Sequence, residues 1–488
     1  MPVHLPLKNI FKTLVILVWI FMAFLLVKKV HLVPGLPAEA LSQIRDSETY
    51  MSIQFKGQKI GYAVQSLTRL EGGYIVDDKT FLRLKLMNQV REVRTITSAR
   101  LDSSMGLQSF NFFLSSGPIR FQLTGTLSGL TLNLTTLTSG YKNTSEIRLS
   151  EVPRLTTGLM PYLAREGLKK GQQHMVAIFD PSTLGNRTVK IRVEDKETLK
   201  IDDQVYDTFR VRLDYFDTQS YAWVDAQGQT VKEEGLLGLS MVRTSPEKAR
   251  EGLAGRAELT DVIEATSASA DRAIPDPRQV RYLKARLTGL DLGGFELDGG
   301  RQRLDGSVIE VTRETIDVRH EAVLPFNDPA LLPFLESTSF IQRKHPKIVH
   351  QVRLIAPGES SPLKIVDRVV DWVYQNLEKR PTMSVPSAVD VLETRIGDCN
   401  EHAILAVALL RAAGIPARMA VGVLYFEERF YYHAWVEAFW GRWLAVDPIL
   451  GQVPADATHI RFMTGGLDRQ MEMVRVIGRL RVEVLEAR

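Results

Sequence analysis

Alternating hydrophobic and polar residues dominate the chain over residues 45–244. Short runs of this kind are separated by turn residues, and one run places Ile119, Phe121 and Leu123 on the same side of an extended chain. A period of two is typical of a strand with one buried face. The pattern therefore predicts an antiparallel β domain, a curled sheet or open barrel of long strands, with one helix near residues 158–167.

The pattern changes four times after this domain. Residues 245–277 are polar, rich in Ala and Ser, and predict a linker, whereas residues 278–355 predict a small β-rich domain with Gly-Gly turns. Residues 356–465 carry a helical period, because apolar side chains recur at helical spacing at Ile365, Val366, Val369, Val370, Val373 and Leu377. Residues 466–488 predict a strand-like C-terminal tail. The whole indicates an α+β fold class with an N-terminal transmembrane helix.

That helix is predicted over residues 10–27, after a short N-terminal tail of residues 1–9. The stretch is mostly apolar with Lys12 as its only charge, and as a helix it would extend about 27 Å, close to the thickness of a bilayer core. A cleavable signal peptide is the alternative, but the small-x-small site at Ala38 and Ala40 lies far past the apolar run. We expect a single-pass protein of the inner membrane, with the bulk of the chain exported to the periplasm or the extracellular side.

Composition narrows the function classes. The 488 residues are 44% hydrophobic and 24% charged, as in globular proteins, and the net charge is only +4. No long basic stripe is present, so a nucleic-acid partner is not indicated. Phosphate-binding loops, dinucleotide fingerprints and the HExxH and GxSxG motifs are also absent from the sequence, and no cofactor is expected. The one cysteine, Cys399, excludes an intrachain disulfide.

Cys399 lies in the segment GDCNEHAILAVALLRAAGIPAR. Asp398 is a suitable N-cap, and Gly414 and Pro416 mark the end of a helix that is apolar nearly all round. This predicts a buried helix that begins at Cys399. Because the first turn of a helix has unpaired N–H groups and a favourable dipole, it is a place where a thiolate is stabilised.

Two strands downstream carry His433 and Asp447, fourteen residues apart in YYHAWVEAFWGRWLAVDP. A three-residue hairpin loop centred on Gly441 would place both side chains on one face of the sheet, whereas a two-residue loop would separate them. In the first arrangement Cys399 would be a nucleophile, His433 its general base, and Asp447 the group that orients the imidazole.

The sequence offers several candidates for residues that would assist Cys399, His433 and Asp447. The backbone N–H of Cys399 is the natural first oxyanion donor, and the side chains of Asn400 and Trp435 are candidates for the second. Glu401 and His402 are candidate supporting or structural groups. A zinc site is the competing interpretation, because Cys399 and His402 have metal-ligand spacing and the other ligands would come from His433, Asp447 and His459. A single cysteine with scattered histidines gives the zinc interpretation little support, and no metal is expected.

The blocks GDCNEHA, LLRAAGIPAR, YYHAWVEAF and GRWLAVDP resemble the transglutaminase-like superfamily of papain-type cysteine enzymes in content, order and spacing. The resemblance covers about residues 362–462. It implies a Cys399–His433–Asp447 triad, with a cysteine-bearing helix packed on an antiparallel sheet. It also implies acyl transfer through a thioester on protein or peptide amide bonds, as cross-linking, deamidation or hydrolysis. The alternative is a non-catalytic envelope module that holds a peptide or partner protein in the same cleft.

Overall fold

The computed structural model describes residues 47–117, 119–138, 141–215, 218–253, 259–382, 385 and 387–488. Fourteen strands of this part form one antiparallel sheet. They are β1 (Ser47–Phe55), β2 (Gln58–Leu70), β3 (Gly73–Leu86), β4 (Gln89–Asp102), β5 (Leu107–Ser116), β6 (Ile119–Ser128), β7 (Thr131–Thr138), β8 (Tyr141–Arg148), β9 (Gln173–Asp180), β10 (Gly185–Ile201), β11 (Gln204–Tyr215), β12 (Thr218–Val224), β13 (Thr230–Glu234) and β14 (Leu239–Thr244).

Two meanders make up this large sheet. The strand order is β8-β7-β6-β5-β4-β3-β2-β1-β14-β13-β12-β11-β10-β9, so the meanders meet where β1 pairs with β14. Tight turns join many neighbours; Met87 and Asn88, for example, both have positive φ and link β3 to β4 as a two-residue hairpin. The predicted alternation is visible in β6, where Phe121 and Leu123 are buried. One helix, α1 (Thr156–Glu166), connects β8 to β9.

The rest of the described chain forms three smaller sheets. The first contains β15 (Ala268–Ser269), β21 (Ala417–Phe426), β22 (Arg429–Phe439), β23 (Trp443–Val446) and β24 (His459–Thr464), in the order β15-β22-β21-β24 with β23 also on β22. The second contains β16 (Tyr282–Thr288), β17 (Gln302–Asp305), β18 (Val308–Thr312) and the C-terminal β25 (Arg481–Ala487), which pairs with β16. The third is the parallel pair β19 (Glu378–Lys379) and β20 (Ile396–Gly397).

Seven further α-helices follow in the described chain. They are α2 (Pro246–Arg250), α3 (Val262–Thr266), α4 (Pro346–Ile355), α5 (Pro362–Asn376), α6 (Ala388–Thr394), α7 (Cys399–Ala412) and α8 (Leu467–Gln470). Helix α7 packs against β21 and β22 and against α4, α5 and α6. Its residues from Ala403 to Leu410 are at most 1% exposed. A helix that is apolar nearly all round is therefore central, as the sequence predicts.

The predicted fold class, α+β with an N-terminal transmembrane helix, is wrong. The structure is mostly β, with 48% strand and 20% helix, in large antiparallel sheets. The reason is that the strands of the large sheet run for up to 17 residues, as in β10, and are joined by short turns, so they outweigh the helices around β21 and β22.

The predicted localisation, as a single-pass protein of the inner membrane, is also contradicted by the structure. Within residues 47–488, as far as they are described, no helix combines the length and the apolar character needed to cross a bilayer. The predicted anchor at residues 10–27 lies outside the described residues.

Candidate active site

Helix α7 begins at Cys399 because the residues before it form a complete cap. The Asp398 carboxylate accepts the backbone N–H of Asn400 at 3.0 Å, and Glu401 Oε2 accepts the backbone N–H of Asp398 at 2.9 Å, which makes a capping box. The contact requires glycine at position 397, since a Cβ there would lie 2.2 Å from Glu401 Cβ. The cap thus fixes the position of Cys399 at the exposed end of a buried helix.

The start of α7 lies against an opening in the edge of β22, which is a stretch where no described strand pairs with that edge. Strand β21 covers one edge of β22 completely, whereas β15 pairs with the other edge at residues 429–430 and β23 at residues 436–439. No described strand covers residues 431–435 on that second edge. Cys399, a partly exposed residue, lies there, and its sulfur accepts the backbone N–H of Ala434.

The surroundings of the sulfur favour the neutral thiol. Burial raises the pKa of the Cys399 thiol well above its ordinary value, and the Asp398 and Glu401 carboxylates add to this, whereas the Ala434 N–H opposes it. The helix start alone therefore does not stabilise a thiolate, because its own capping carboxylates oppose the favourable dipole. Ionisation of this thiol needs a proton acceptor nearby.

His433 and Asp447 meet beside this opening. Phe439 pairs with Trp443, so the hairpin loop has the three residues that the one-face arrangement requires. His433 Nε2 lies 2.8 Å from Asp447 Oδ2, and Asp447 Oδ1 accepts the backbone N–H groups of Ile449 at 2.8 Å and Leu450 at 3.2 Å. Asp447 is fully buried. The predicted contact between His433 and Asp447 is thus present in the structure.

A second histidine shares the same carboxylate. His459 Nε2 lies 3.0 Å from Asp447 Oδ2, and His459 Nδ1 lies 3.2 Å from Asp456 Oδ1. Asp456 in turn accepts the amide N–H of the Gln452 side chain at 2.8 Å and the hydroxyl of Thr458 at 2.6 Å. We call His433, Asp447, His459 and Asp456 the His–Asp chain.

Charge in the His–Asp chain is set by these hydrogen bonds. Burial opposes ionisation of Asp447, but the charges and hydrogen bonds of His433 and His459 outweigh it and hold the pKa of Asp447 well below its usual range. Burial also disfavours a charged His459, yet Asp456 and Asp447 raise the pKa of His459 to about 9. At neutral pH, Asp447 is a carboxylate and His459 an imidazolium.

The four predicted supporting residues occupy different places. Asn400 Oδ1 lies 3.2 Å from the Tyr432 hydroxyl, and Glu401 belongs to the cap. His402 Nδ1 lies 2.6 Å from the Asp398 carbonyl oxygen, its Nε2 is buried with no hydrogen bond to a described residue, and burial lowers the pKa of His402 to about 4. Trp435 is fully buried and stacks on the His433 ring with centroids 6.0 Å apart.

The residues suggested for a zinc site separate into two groups. The ligand atoms of His433, Asp447 and His459 lie within 4.8 Å of one another, and Cys399 and His402 are not part of this cluster. Those three side chains could hold a cation, but both imidazoles direct Nε2 at one carboxylate oxygen at hydrogen-bond distance. Asp456 is not predicted from the sequence, where its only signal is its position three residues before His459.

The segment that carries Cys399, His433 and Asp447 matches a known protein family. Residues 350–448 match the family model of the transglutaminase-like superfamily, so the chain contains a transglutaminase-like domain, as the sequence motifs predict. The match covers the segment from α4 to the residue after Asp447.

Solved structures with some similarity include two bacterial proteins. A candidate cysteine protease from Cytophaga hutchinsonii has 24% sequence identity and a TM-score of 0.28, and the similarity covers 38% of this chain and 78% of that one. A beta-barrel-like protein from Brucella abortus, a domain of unknown function, has 14% identity and a TM-score of 0.32, with 41% and 95% of the two chains covered. A search of the curated proteins found no match.

Proposed function

We propose that the transglutaminase-like domain is a cysteine acyl-transfer enzyme that acts on amide bonds of a protein or peptide substrate through a thioester. Cys399 is the nucleophile, His433 the general base and Asp447 the residue that orients it. The observation that carries the proposal is the 2.8 Å contact between His433 Nε2 and Asp447 Oδ2, on the strand segment whose Ala434 N–H binds the Cys399 sulfur.

The chemistry follows from the tautomer of His433. Because Asp447 is a carboxylate, Nε2 of His433 carries the proton that is donated to it, and Nδ1 retains a lone pair. Nδ1 takes the proton of the Cys399 thiol, and the sulfur attacks the amide carbon. The Cys399 backbone N–H stabilises the oxyanion, and His433 protonates the departing amine. Water or a second amine then attacks the thioester and releases Cys399.

A non-catalytic binding module is the second candidate. It is favoured by one observation, the raised pKa of the Cys399 thiol, which keeps the sulfur protonated and unreactive unless His433 accepts the proton. The domain would then hold a peptide or a partner protein in the opening of β22 without forming a thioester.

Alkylation of Cys399 separates the two candidates, because the sequence contains no other cysteine. The full chain is treated with iodoacetamide between about pH 5 and about pH 9, a range that brackets the ordinary cysteine and histidine pKa values. For the enzyme we expect alkylation near neutral pH to fall by at least roughly tenfold in His433→Ala. His350→Ala, an exposed histidine on α4, is the matched control and should alkylate like the wild type. Equal, slow labelling of all three proteins would favour the binding module.

A further inference from the structure

His459 is the residue of the His–Asp chain to which the proposed reaction assigns no task. It is fully buried. Both of its ring nitrogens face a carboxylate oxygen, Asp447 Oδ2 at 3.0 Å and Asp456 Oδ1 at 3.2 Å. A neutral imidazole carries one N–H and would leave a lone pair against one of these oxygens. The geometry therefore requires the imidazolium form.

Asp456 is built to maintain that form. The backbone N–H and the hydroxyl of Thr458 donate to Asp456 Oδ1 at 2.8 and 2.6 Å, and the Gln452 side chain donates to Oδ2 at 2.8 Å. Burial raises the pKa of Asp456, but the charge and hydrogen bond of His459, together with the bonds from Thr458 and Gln452, hold it well below the usual range. An anion fixed on one side of His459 thus keeps a positive charge on the side that faces Asp447.

That positive charge is close to the proposed base. The ring centroids of His433 and His459 are 5.6 Å apart, and both rings use the same oxygen of Asp447. His433 has to be neutral to accept a proton from the thiol. A cation on the far side of Asp447 disfavours a second positive charge so close to it.

We propose that His459 is a positioning residue for the reaction, which shares the Asp447 carboxylate and limits protonation of His433 so that His433 accepts the Cys399 proton near neutral pH. This inference rests on the proposed function. The charged groups that act on His459 are Asp456 and Asp447, and Asp447 also interacts with His433, Cys399 and His402. Arg461 and Glu437 are paired with each other at 2.7 Å.

The test uses the full chain labelled with nitrogen-15 in its nine histidines. Ring-nitrogen NMR is expected to find both ring protons on His459 at about pH 7.5. His459→Gln keeps a donor near Asp447 but removes the charge. It should increase the charged fraction of His433 at neutral pH and move the acid limb of Cys399 alkylation upward by roughly one pH unit.

Two further variants control for folding. Asp456→Asn retains His459 but removes the anion that keeps it charged, and it should move the acid limb in the same direction. His345→Gln alters another buried histidine, at the start of α4, and should leave both the limb and the charged fraction of His433 unchanged. A merely structural role of His459 would lower the alkylation rate without moving the limb.

The outcomes distinguish this inference from the proposed function. A single ring proton on His459 near neutral pH, or an unchanged charged fraction of His433 in His459→Gln, overturns the inference even if alkylation depends on His433. In the opposite case, alkylation does not depend on His433, but the charged fraction of His433 still increases in His459→Gln. That result overturns the proposed function and leaves the effect of His459 on His433 standing.

Discussion

Two buried histidines of the same domain have opposite charge states, and their hydrogen-bond partners explain the difference. His402 Nδ1 faces one carbonyl oxygen and its Nε2 has no hydrogen bond to a described residue, so burial dominates and lowers the pKa of His402 to about 4. For His459, burial acts in the same direction, but two carboxylates outweigh it and raise its pKa to about 9. Equal burial therefore gives a neutral ring in one case and a cation in the other.

The charge of His459 predicts how stability depends on pH. Because the pKa of His459 in the folded chain, about 9, lies above the ordinary 6.5, its contribution is complete below pH 6.5 and is lost as the pH rises through 9. The linkage relation makes this contribution at most about 3 kcal/mol. Denaturant unfolding between about pH 6 and about pH 9 should show a loss of unfolding free energy in the wild type that His459→Gln reduces. Parallel pH profiles of the two proteins would contradict the prediction.

The sequence identifies only some of the individual residues of this site. Cys399, His433 and Asp447 stand out because each lies in a dense motif with regular strand or helix spacing around it. Asp456 does not, since it lies in an irregular loop and its contact with His459 depends on how that loop folds. The sequence indicates His459 only as a candidate zinc ligand, because spacing along the chain does not reveal which oxygen a ring nitrogen faces.

At the scale of single elements, hydrophobic alternation predicts the strands that have one buried face. It does not indicate β8, whose residues YKNTSEIR are mostly polar and which pairs with β7 at the edge of the large sheet. An edge strand is held by backbone hydrogen bonds on one side and needs little apolar surface. Helix α7 is predicted almost to the residue, because its cap and its terminal Gly414 are both explicit in the sequence.

The start of α7 gives an element-scale prediction. Gly397→Ala would place a methyl group 2.2 Å from Glu401 Cβ and so disrupt the capping box. We expect a loss of unfolding free energy of about 1–3 kcal/mol, together with an altered alkylation rate of Cys399. Gly235→Ala is the matched control, since its Cβ would have 3.5 Å to the nearest atom. Denaturant unfolding measures both variants, and an equal effect of the two would refute the role of Gly397.

At the scale of the whole molecule, the segments that precede α4 and α6 connect the transglutaminase-like part to the large sheet. Phe340 and Val385 belong to the same hydrophobic cluster as Phe121 of β6, and the rings of Phe121 and Phe340 have centroids 6.5 Å apart. Ser339 Oγ donates to Ser145 Oγ of β8 at 3.1 Å. Such contacts between distant parts of the chain are not visible in local sequence periodicity.

This connection should be measurable. Phe340→Ala removes a ring that is 9% exposed, and we expect a loss of about 3 kcal/mol of unfolding free energy. Amide hydrogen exchange should increase in β5 and β6 as well as around residue 340. Phe426→Ala is the control, because that ring is 40% exposed at the end of β21. Exchange in β5 and β6 that does not respond to Phe340→Ala would show that the two parts are energetically independent.

The pairing of β1 with β14 has a consequence for how such a molecule arises and how it can be rebuilt. Tyr50 lies opposite Thr244, so the chain enters and leaves the large sheet at neighbouring points. A domain whose two ends are adjacent can be inserted into another protein, because the receiving chain needs to provide only one insertion point. A circular permutant that joins residues 47 and 244 through a short linker and opens the exposed turn at Gly129 should therefore retain the sheet.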